Sequence, residues 1–393
     1  MELNIQRKLQ GIPPSIFPIM TGLANQYNAV NLAQGFPGFD ADKDLIQLVN
    51  HYMLAGKNQY APMQGVPILR ERLCAKMDEQ NGYSYAPDSE ICITAGATQA
   101  IFTVVSAVIK KGDEVIIIDP SFDCYDPVVR FNGGIPIRSA LKKVKTLDSN
   151  GSQHIIFSYD WKDIQSKVSK KTRMIIINTP QNPTGTVFNK RDIQELRKIV
   201  QHSNVIILSD EVYEHIVFDD CSHESIGKYP DLVERSFIVY SLGKTYHTTG
   251  WRMGYVFAPK PMMECFMRAH QYQVYAVPTP LQYAIADYTL KKDKYLELSA
   301  FFQERRDYFV QCLDGSKFKS ISCPGTYFQL LDYSAITKEN DVDFAKWLTK
   351  TKGVASIPIS VFYEDKKQDN LLRFCFAKDL EELEKGAERL LKV

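Results

Sequence analysis

A series of short apolar runs, each ending in small or polar residues, constrains this chain more than any other feature. Ile91-Cys-Ile-Thr94, Val115-Ile-Ile-Ile118, Met174-Ile-Ile-Ile-Asn178, Val205-Ile-Ile-Leu-Ser209 and Phe237-Ile-Val-Tyr240 are rich in β-branched and aromatic residues and read as buried strands. Helical patterns separate several of them. An apolar helix is expected from Gln99 to Lys110, and another from Arg191 to Val200, with Ile193, Leu196, Ile199 and Val200 at helical spacing and Asn189 as its cap. Strand, helix and strand again imply parallel pairing. The fold class is therefore α/β, and chemistry is expected where the strands deliver their polar ends.

The last of these runs delivers Ser241-Leu-Gly-Lys244-Thr-Tyr-His-Thr-Thr-Gly-Trp-Arg252. A lysine at a strand exit can be desolvated against a carbonyl and form a Schiff base. Gly243-Lys244-Thr245 also has the look of a P-loop tail, but the earlier glycine that such a loop needs is Ile238 here. A hydroxyl three residues before the lysine and an arginine eight residues after it fit better. Ser241 and Arg252 can hold one phosphate while Lys244 reaches the aldehyde end of the same molecule. Pyridoxal 5′-phosphate has both ends.

With Gly250-Trp-Arg-x-Gly-Tyr255 following, this stretch resembles the class I aminotransferases of the fold-type-I pyridoxal-phosphate enzymes, and the other motifs fall in that family's order along nearly the whole chain. Asn58-Gln-Tyr-Ala-Pro62, Ser121-Phe-Asp-Cys-Tyr125 and Ala355-Ser-Ile-Pro-Ile-Ser-Val-Phe362 are most similar to its methionine and kynurenine aminotransferase branch. The resemblance implies a large domain, with a mostly parallel mixed sheet between helices, plus a smaller α+β domain. It also assigns roles. Lys244 is the Schiff-base residue and proton carrier; Asp210 faces the pyridine nitrogen; Tyr213 and Asn182 contact the 3′ oxygen; Phe122 lies on the ring. Ala97 and Thr98, at the start of a helix whose free N–H groups suit an anion, complete the phosphate cup with Ser241 and Arg252. Arg373 clamps the substrate carboxylate with Asn182 and the Gly35 backbone, and Phe17 forms a wall. Tyr60 and Tyr275 are implied to enter the site from the partner chain of a homodimer.

Composition narrows the rest. At 393 residues, two domains are expected: 43–285 for the large one, and 1–42 with 286–393 for the small one. The charged residues nearly balance, at a net +1, which removes the electrostatic argument for a nucleic-acid or membrane partner. Eight scattered cysteines show no zinc-ligand spacing, so no metal is expected; several sit in apolar runs and read as buried thiols of a reducing compartment. The first residues carry no apolar signal core, and a cytoplasmic protein is expected. A long helix is read over Lys291 to Arg306, and His215, His247 and His270 are taken as structural. The expected activity is transfer of an amino group from an L-amino acid to a 2-oxo acid. A pyridoxal-phosphate carbon–sulfur lyase of the same fold remains open on these motifs, as do, more distantly, a nucleotide-binding protein and a non-catalytic homologue.

Overall fold

The computed structural model describes residues 8, 9, 11–147 and 153–393. The amino-terminal stretch read above for a signal core lies almost wholly outside them. A seven-stranded sheet is built from Ile91–Thr94 (β1), Glu114–Asp119 (β2), Ile135–Ala140 (β3), Thr172–Asn178 (β4), Ile206–Asp210 (β5), Ser236–Ser241 (β6) and Gly254–Phe257 (β7). Their spatial order is β1-β7-β6-β5-β4-β2-β3. All neighbours run parallel except β7, which is antiparallel to both β1 and β6.

The near-continuous apolar runs follow from this topology, because helices cover both faces of the sheet. Val115, Ile117, Met174, Ile176, Leu208 and Val239 pack on one side with Val104 of the helix Gly96–Val108 and Phe266 of the helix Lys260–Gln273. Ile116, Ile118, Ile175, Ile177, Ile207 and Ile238 point the other way, into a core shared with Leu69 and Leu73 of Pro67–Asn81 and Leu196 of Lys190–Val200. Each such side chain contributes about 1.5–3 kcal/mol on burial. Asn189 caps the last of these helices reciprocally with Asp192, as its position before the helical pattern suggested.

A second sheet, all antiparallel, comprises Lys319–Ser320 (β8), Phe328–Asp332 (β9), Ile357–Pro358 (β10) and Leu371–Cys375 (β11), in the order β8-β9-β11-β10. The amino-terminal segment joins it. Val30–Asn31 pairs in parallel with Val354–Ala355, the Cys375 amide donates to Leu32 O at 2.7 Å, and the Gly38 amide donates to Ala377 O at 2.8 Å. That path carries Gly35 past the end of β11.

The helix read as continuous over Lys291 to Arg306 is two: Asp293–Leu296 and Leu298–Cys312. Glu297 between them has φ −81° and ψ −7°, which turns the backbone so that Tyr295 and Leu298 are both buried. Tertiary burial outweighs the helix propensity of the charged run. Among the described residues no helix is long and apolar enough to cross a membrane.

Candidate active site

Strand exits of the large sheet meet the amino-terminal segment and β11 around a cavity of about 260 Å³. Its lining includes Phe17, Gly35, Ala97, Thr98, Phe122, Asn182, Asp210, Tyr213, Ser241, Lys244, Arg252 and Arg373, so twelve residues singled out in the sequence converge on one space. Tyr60 and Tyr275 do not line it. They meet edge to face, ring centroids 5.8 Å apart, on the surface, where Tyr60 is 86% exposed.

One end of the cavity suits an anion. The helix Gly96–Val108 begins directly after β1, and Ala97 and Thr98 stand in its first turn, where backbone N–H groups have no helical partner. Arg252 crosses beside this turn in a left-handed conformation, φ 55°. The approach requires glycine, since a Cβ on Gly96 (φ +77°) would meet Arg252 Nη2 at 2.7 Å. Gly254 is constrained in the same way: a Cβ there would lie 2.8 Å from Tyr240 O and 2.9 Å from Ala97 N.

Lys244 lies in the single turn Leu242–Thr245 that follows β6. Its Nζ donates to Gly35 O at 3.0 Å and to the Tyr327 hydroxyl at 2.8 Å. Burial lowers its pKa from 10.5 to about 8, with Arg373 and Arg252 pushing the same way, so a sizeable fraction of the amine is neutral near that pH. Asp210, at the exit of β5, accepts from the Tyr125 hydroxyl at 2.6 Å and from the Val212 amide at 3.3 Å. Burial nevertheless raises its pKa to about 6. Asn178, at the exit of β4, fixes the neighbouring loop: its side chain donates to Asp210 O at 2.9 Å and accepts from the Asn182 amide at 2.7 Å.

Arg373, in β11, is 1% exposed. Its Nη1 donates to Asn182 Oδ1 at 2.7 Å and its Nη2 to Ala33 O at 3.2 Å, while Nε has no partner among the described residues. Phe328, Phe17 and Phe362 surround the guanidinium, with its Cζ 3.9, 5.2 and 5.5 Å from their ring centroids. No carboxylate is within ion-pair distance of it among the described residues, so the salt bridge that a buried arginine usually needs is missing. A carboxylate from outside would supply it.

Sequence reasoning passed over Tyr327, Phe328, Phe362 and Asn178. Tyr327 and Phe328 belong to Gly325-Thr-Tyr-Phe, which reads as the entrance of a strand and is one; the signal it hides is the left-handed Thr326 (φ 66°), a tight turn that aims the tyrosine inward. None of the three histidines lines the cavity. His215 Nε2 pairs with Glu214 at 3.3 Å, His247 packs edge-on against Phe39 at 4.8 Å, and His270 stacks on Phe266 at 5.7 Å.

Known proteins share both the sequence and this architecture. The sequence model of the family described as aminotransferase class I and II matches residues 27–390. The chain is 42% identical to the methionine aminotransferase of Escherichia coli (strain K12) over 98% of its length and 97% of the relative's. It is 32% identical to kynurenine–oxoglutarate transaminase 1 of Mus musculus, over 98% and 96% of the two chains. A crystal structure from Escherichia coli with an identified methionine aminotransferase function superposes with a TM-score of 0.95 at 42% identity, covering 100% of both chains. The chain belongs to the class I and II aminotransferases.

Proposed function

We propose that this aminotransferase uses pyridoxal 5′-phosphate to move the amino group of an L-amino acid with a large apolar side chain to a 2-oxo acid, with methionine, the aromatic amino acids, leucine and kynurenine as the donor class. The carrying observation is the cavity's charge pattern. An exposed arginine beside a helix amino terminus, a part-buried lysine, a buried aspartate and a caged arginine line one space, with Phe17, Phe122, Tyr213 and Phe328 among the rest of its wall. The donor set fits the cofactor. The glycine-dependent approach of Arg252 to the first turn of Gly96–Val108 leaves amides, the Ser241 hydroxyl and a guanidinium for a phosphate. Asp210 would face the pyridine nitrogen, Phe122 the ring, and Tyr213 and Asn182 the 3′ oxygen.

When bound, the cofactor supplies a carbonyl carbon for the amine and a ring that accepts the electrons released at the substrate Cα. The chain's own residues do the rest. Lys244 Nζ takes the Cα proton as a base and gives it up as an acid, a task suited to an amine held at about 8. Asp210 would hold a proton on the cofactor's pyridine nitrogen, and its carboxylate would gain a countercharge in its buried setting. Arg373 and Asn182 grip the substrate carboxylate by a fork the three phenylalanines hold in place.

The same reading makes the protein a homodimer in which Tyr60 and Tyr275 of the partner subunit complete each site. Their exposure and their absence from the lining of their own chain's cavity support this. It also keeps the division into 43–285 and 1–42 with 286–393, supported by the two separate sheets, and a cytoplasmic setting, supported by eight free thiols. Among the described residues, the only arginines lining the cavity are Arg252 and Arg373, so a second substrate carboxylate has no further guanidinium to meet among them. Leaving it buried and unpaired costs about 3 kcal/mol or more, roughly 10²-fold in kcat/KM. Purified protein should take up pyridoxal phosphate with a visible absorbance band that shifts on adding methionine. Its kcat/KM should favour methionine over aspartate with a common acceptor. A preference for aspartate overturns the substrate assignment, and a Lys244→Ala variant with near-normal turnover overturns the mechanism.

A further inference from the structure

Tyr327 has no place in the roles described so far, yet its hydroxyl touches the amine that does the chemistry. The residue is fully buried at the entrance of β9. Its ring is held edge-on by Phe328 at 4.9 Å and Tyr213 at 5.2 Å, and tilted against Phe302 at 5.6 Å. The hydroxyl donates to Gly35 O at 2.7 Å and accepts from Lys244 Nζ at 2.8 Å, while Nζ also donates to Gly35 O at 3.0 Å. The three atoms close a triangle, with the carbonyl oxygen accepting twice.

The triangle has a stereochemical consequence. The lysine nitrogen is tetrahedral; Cε takes one position, and the two hydrogen bonds take two more. One position is left. In the neutral amine it is the lone pair, and in the ammonium ion it is the third proton, so the free position is the one that receives and gives up a proton. A lysine stem is otherwise a flexible four-carbon tether whose amine samples many rotamers. Here a rigid phenol and a backbone carbonyl remove that freedom.

We infer that Tyr327 is a positioning residue for Lys244: with the Gly35 carbonyl, its hydroxyl parks the free amine so that its proton-transfer position stays open to the cavity's reaction. The inference rests on the reading of Lys244 as the proton carrier. Tyr327 does not itself exchange a proton with substrate. Its role is to orient the base and to help set the pH at which that base is neutral.

Tyr327→Phe deletes one oxygen and keeps the ring. In the cofactor-free protein, the pH dependence of dinitrophenylation at Lys244, followed by peptide mass spectrometry, reads the amine directly. Loss of an acceptor that favours the ammonium form should move the labelling midpoint down by about one pH unit. In the protein loaded with pyridoxal phosphate, single-turnover reaction with methionine should slow about tenfold, and the isotope effect with α-deuterated methionine should rise. The methionine Kd should hold, because Arg373 and Asn182 are untouched. Placing a fluorinated tyrosine at 327 keeps the shape, makes the hydroxyl a weaker acceptor, and should move the midpoint in the same direction by less. A midpoint and single-turnover rate equal to wild type in Tyr327→Phe, or an unmoved midpoint in the fluorotyrosine protein, overturns the role of Tyr327 alone. A wild-type protein that forms no Lys244-dependent visible band with pyridoxal phosphate overturns the functional reading beneath it.

Discussion

Replacing Arg373 by methionine should separate catalysis from folding. Burial lowers the guanidinium's pKa from its ordinary value to about 10, which corresponds to about 3 kcal/mol of cost for the charged form. The folded value is the depressed one, so this cost is fully present at every pH below about 10 and fades only as pH rises from there towards the ordinary arginine range. Methionine removes it and fills most of the space among Phe17, Phe328 and Phe362. Against that, Asn182 Oδ1 and Ala33 O each lose a donor, at about 1–2 kcal/mol apiece. The balance lies within about 2 kcal/mol of zero. A 393-residue chain gains about 0.8 kcal/mol per degree in unfolding entropy, so the Tm of the substrate-free protein should stay within about 3 °C of wild type. Turnover should not stay. A substrate carboxylate left without its fork costs about 3–5 kcal/mol, or between about 10² and 10⁴ in kcat/KM, for every donor alike. Arg373→Lys, which keeps the charge but not the fork, should fall between. Calorimetry on the cofactor-free protein and steady-state kinetics with several donors test this together. A Tm fall beyond about 6 °C, or a loss confined to one donor, refutes the argument.

Four further outcomes follow from the geometry. Asp210→Asn keeps the hydrogen bond from Tyr125 but not the charge, and should slow single-turnover Cα proton removal by about 10² or more with the fold intact, as read by stopped-flow spectroscopy. In the same variant the cofactor-free protein should lose the part of the pH dependence that this raised carboxylate imposes: Asp210 makes wild-type stability decline as pH rises from 3.8 to about 6, where the folded state holds its proton longer than the unfolded chain, and the difference between wild type and variant should change by that amount over the window. Mixing inactive Lys244→Ala chains with inactive Tyr60→Ala chains should restore up to about a quarter of wild-type activity through hybrid dimers, and no recovery would place Tyr60 outside the partner's site. Lys76→Met should cost up to about 3–5 kcal/mol by leaving buried Glu214, its partner at 2.7 Å, with only the His215 ring and the Tyr255 hydroxyl, whereas Lys76→Met with Glu214→Leu should recover most of that in chemical denaturation.

How far the sequence could be read depended on how far apart in the chain the partners lie. Five of the seven strands of the large sheet were legible because both faces are covered, which writes Val115 to Ile118 or Met174 to Ile177 as unbroken apolar runs; the partly exposed edge strand Ile135–Ala140 and the short Gly254–Phe257 were not read. Ser241, Lys244 and Arg252 were legible because they lie within twelve residues of one another. Arg373 stood out as a charge between apolar neighbours in a strand. The aromatic cage around it did not, since Phe17, Phe328 and Phe362 come from separate parts of the chain and each looks like ordinary core. Tyr327 was hidden in the same way: nothing local distinguishes a tyrosine that packs from one whose hydroxyl meets a lysine 83 residues away in sequence. The break at Glu297 was also invisible, because no glycine or proline marks it.

The shifts at Lys244 and Asp210 state what the cavity lacks. Burial pushes the amine down to about 8 and the carboxylate up to about 6, so each group is moved towards its neutral form. Arg252 and Arg373 line the same space, and neither forms an ion pair among the described residues. Three basic groups and one acid therefore share a small, partly desolvated volume, an arrangement that is unfavourable unless anions arrive from outside. A phosphate beside Arg252 and a carboxylate beside Arg373 would correct the balance at its two ends, and a protonated pyridine nitrogen would give Asp210 the cation it is missing. The corrections at Arg373 and Asp210 would return a displaced pKa towards its ordinary value, each worth about 1.4 kcal/mol per unit recovered. The binding energy of this site is thus held in its unbalanced charges, which is why the residues that make the chemistry possible are also the ones that folding alone would not have chosen.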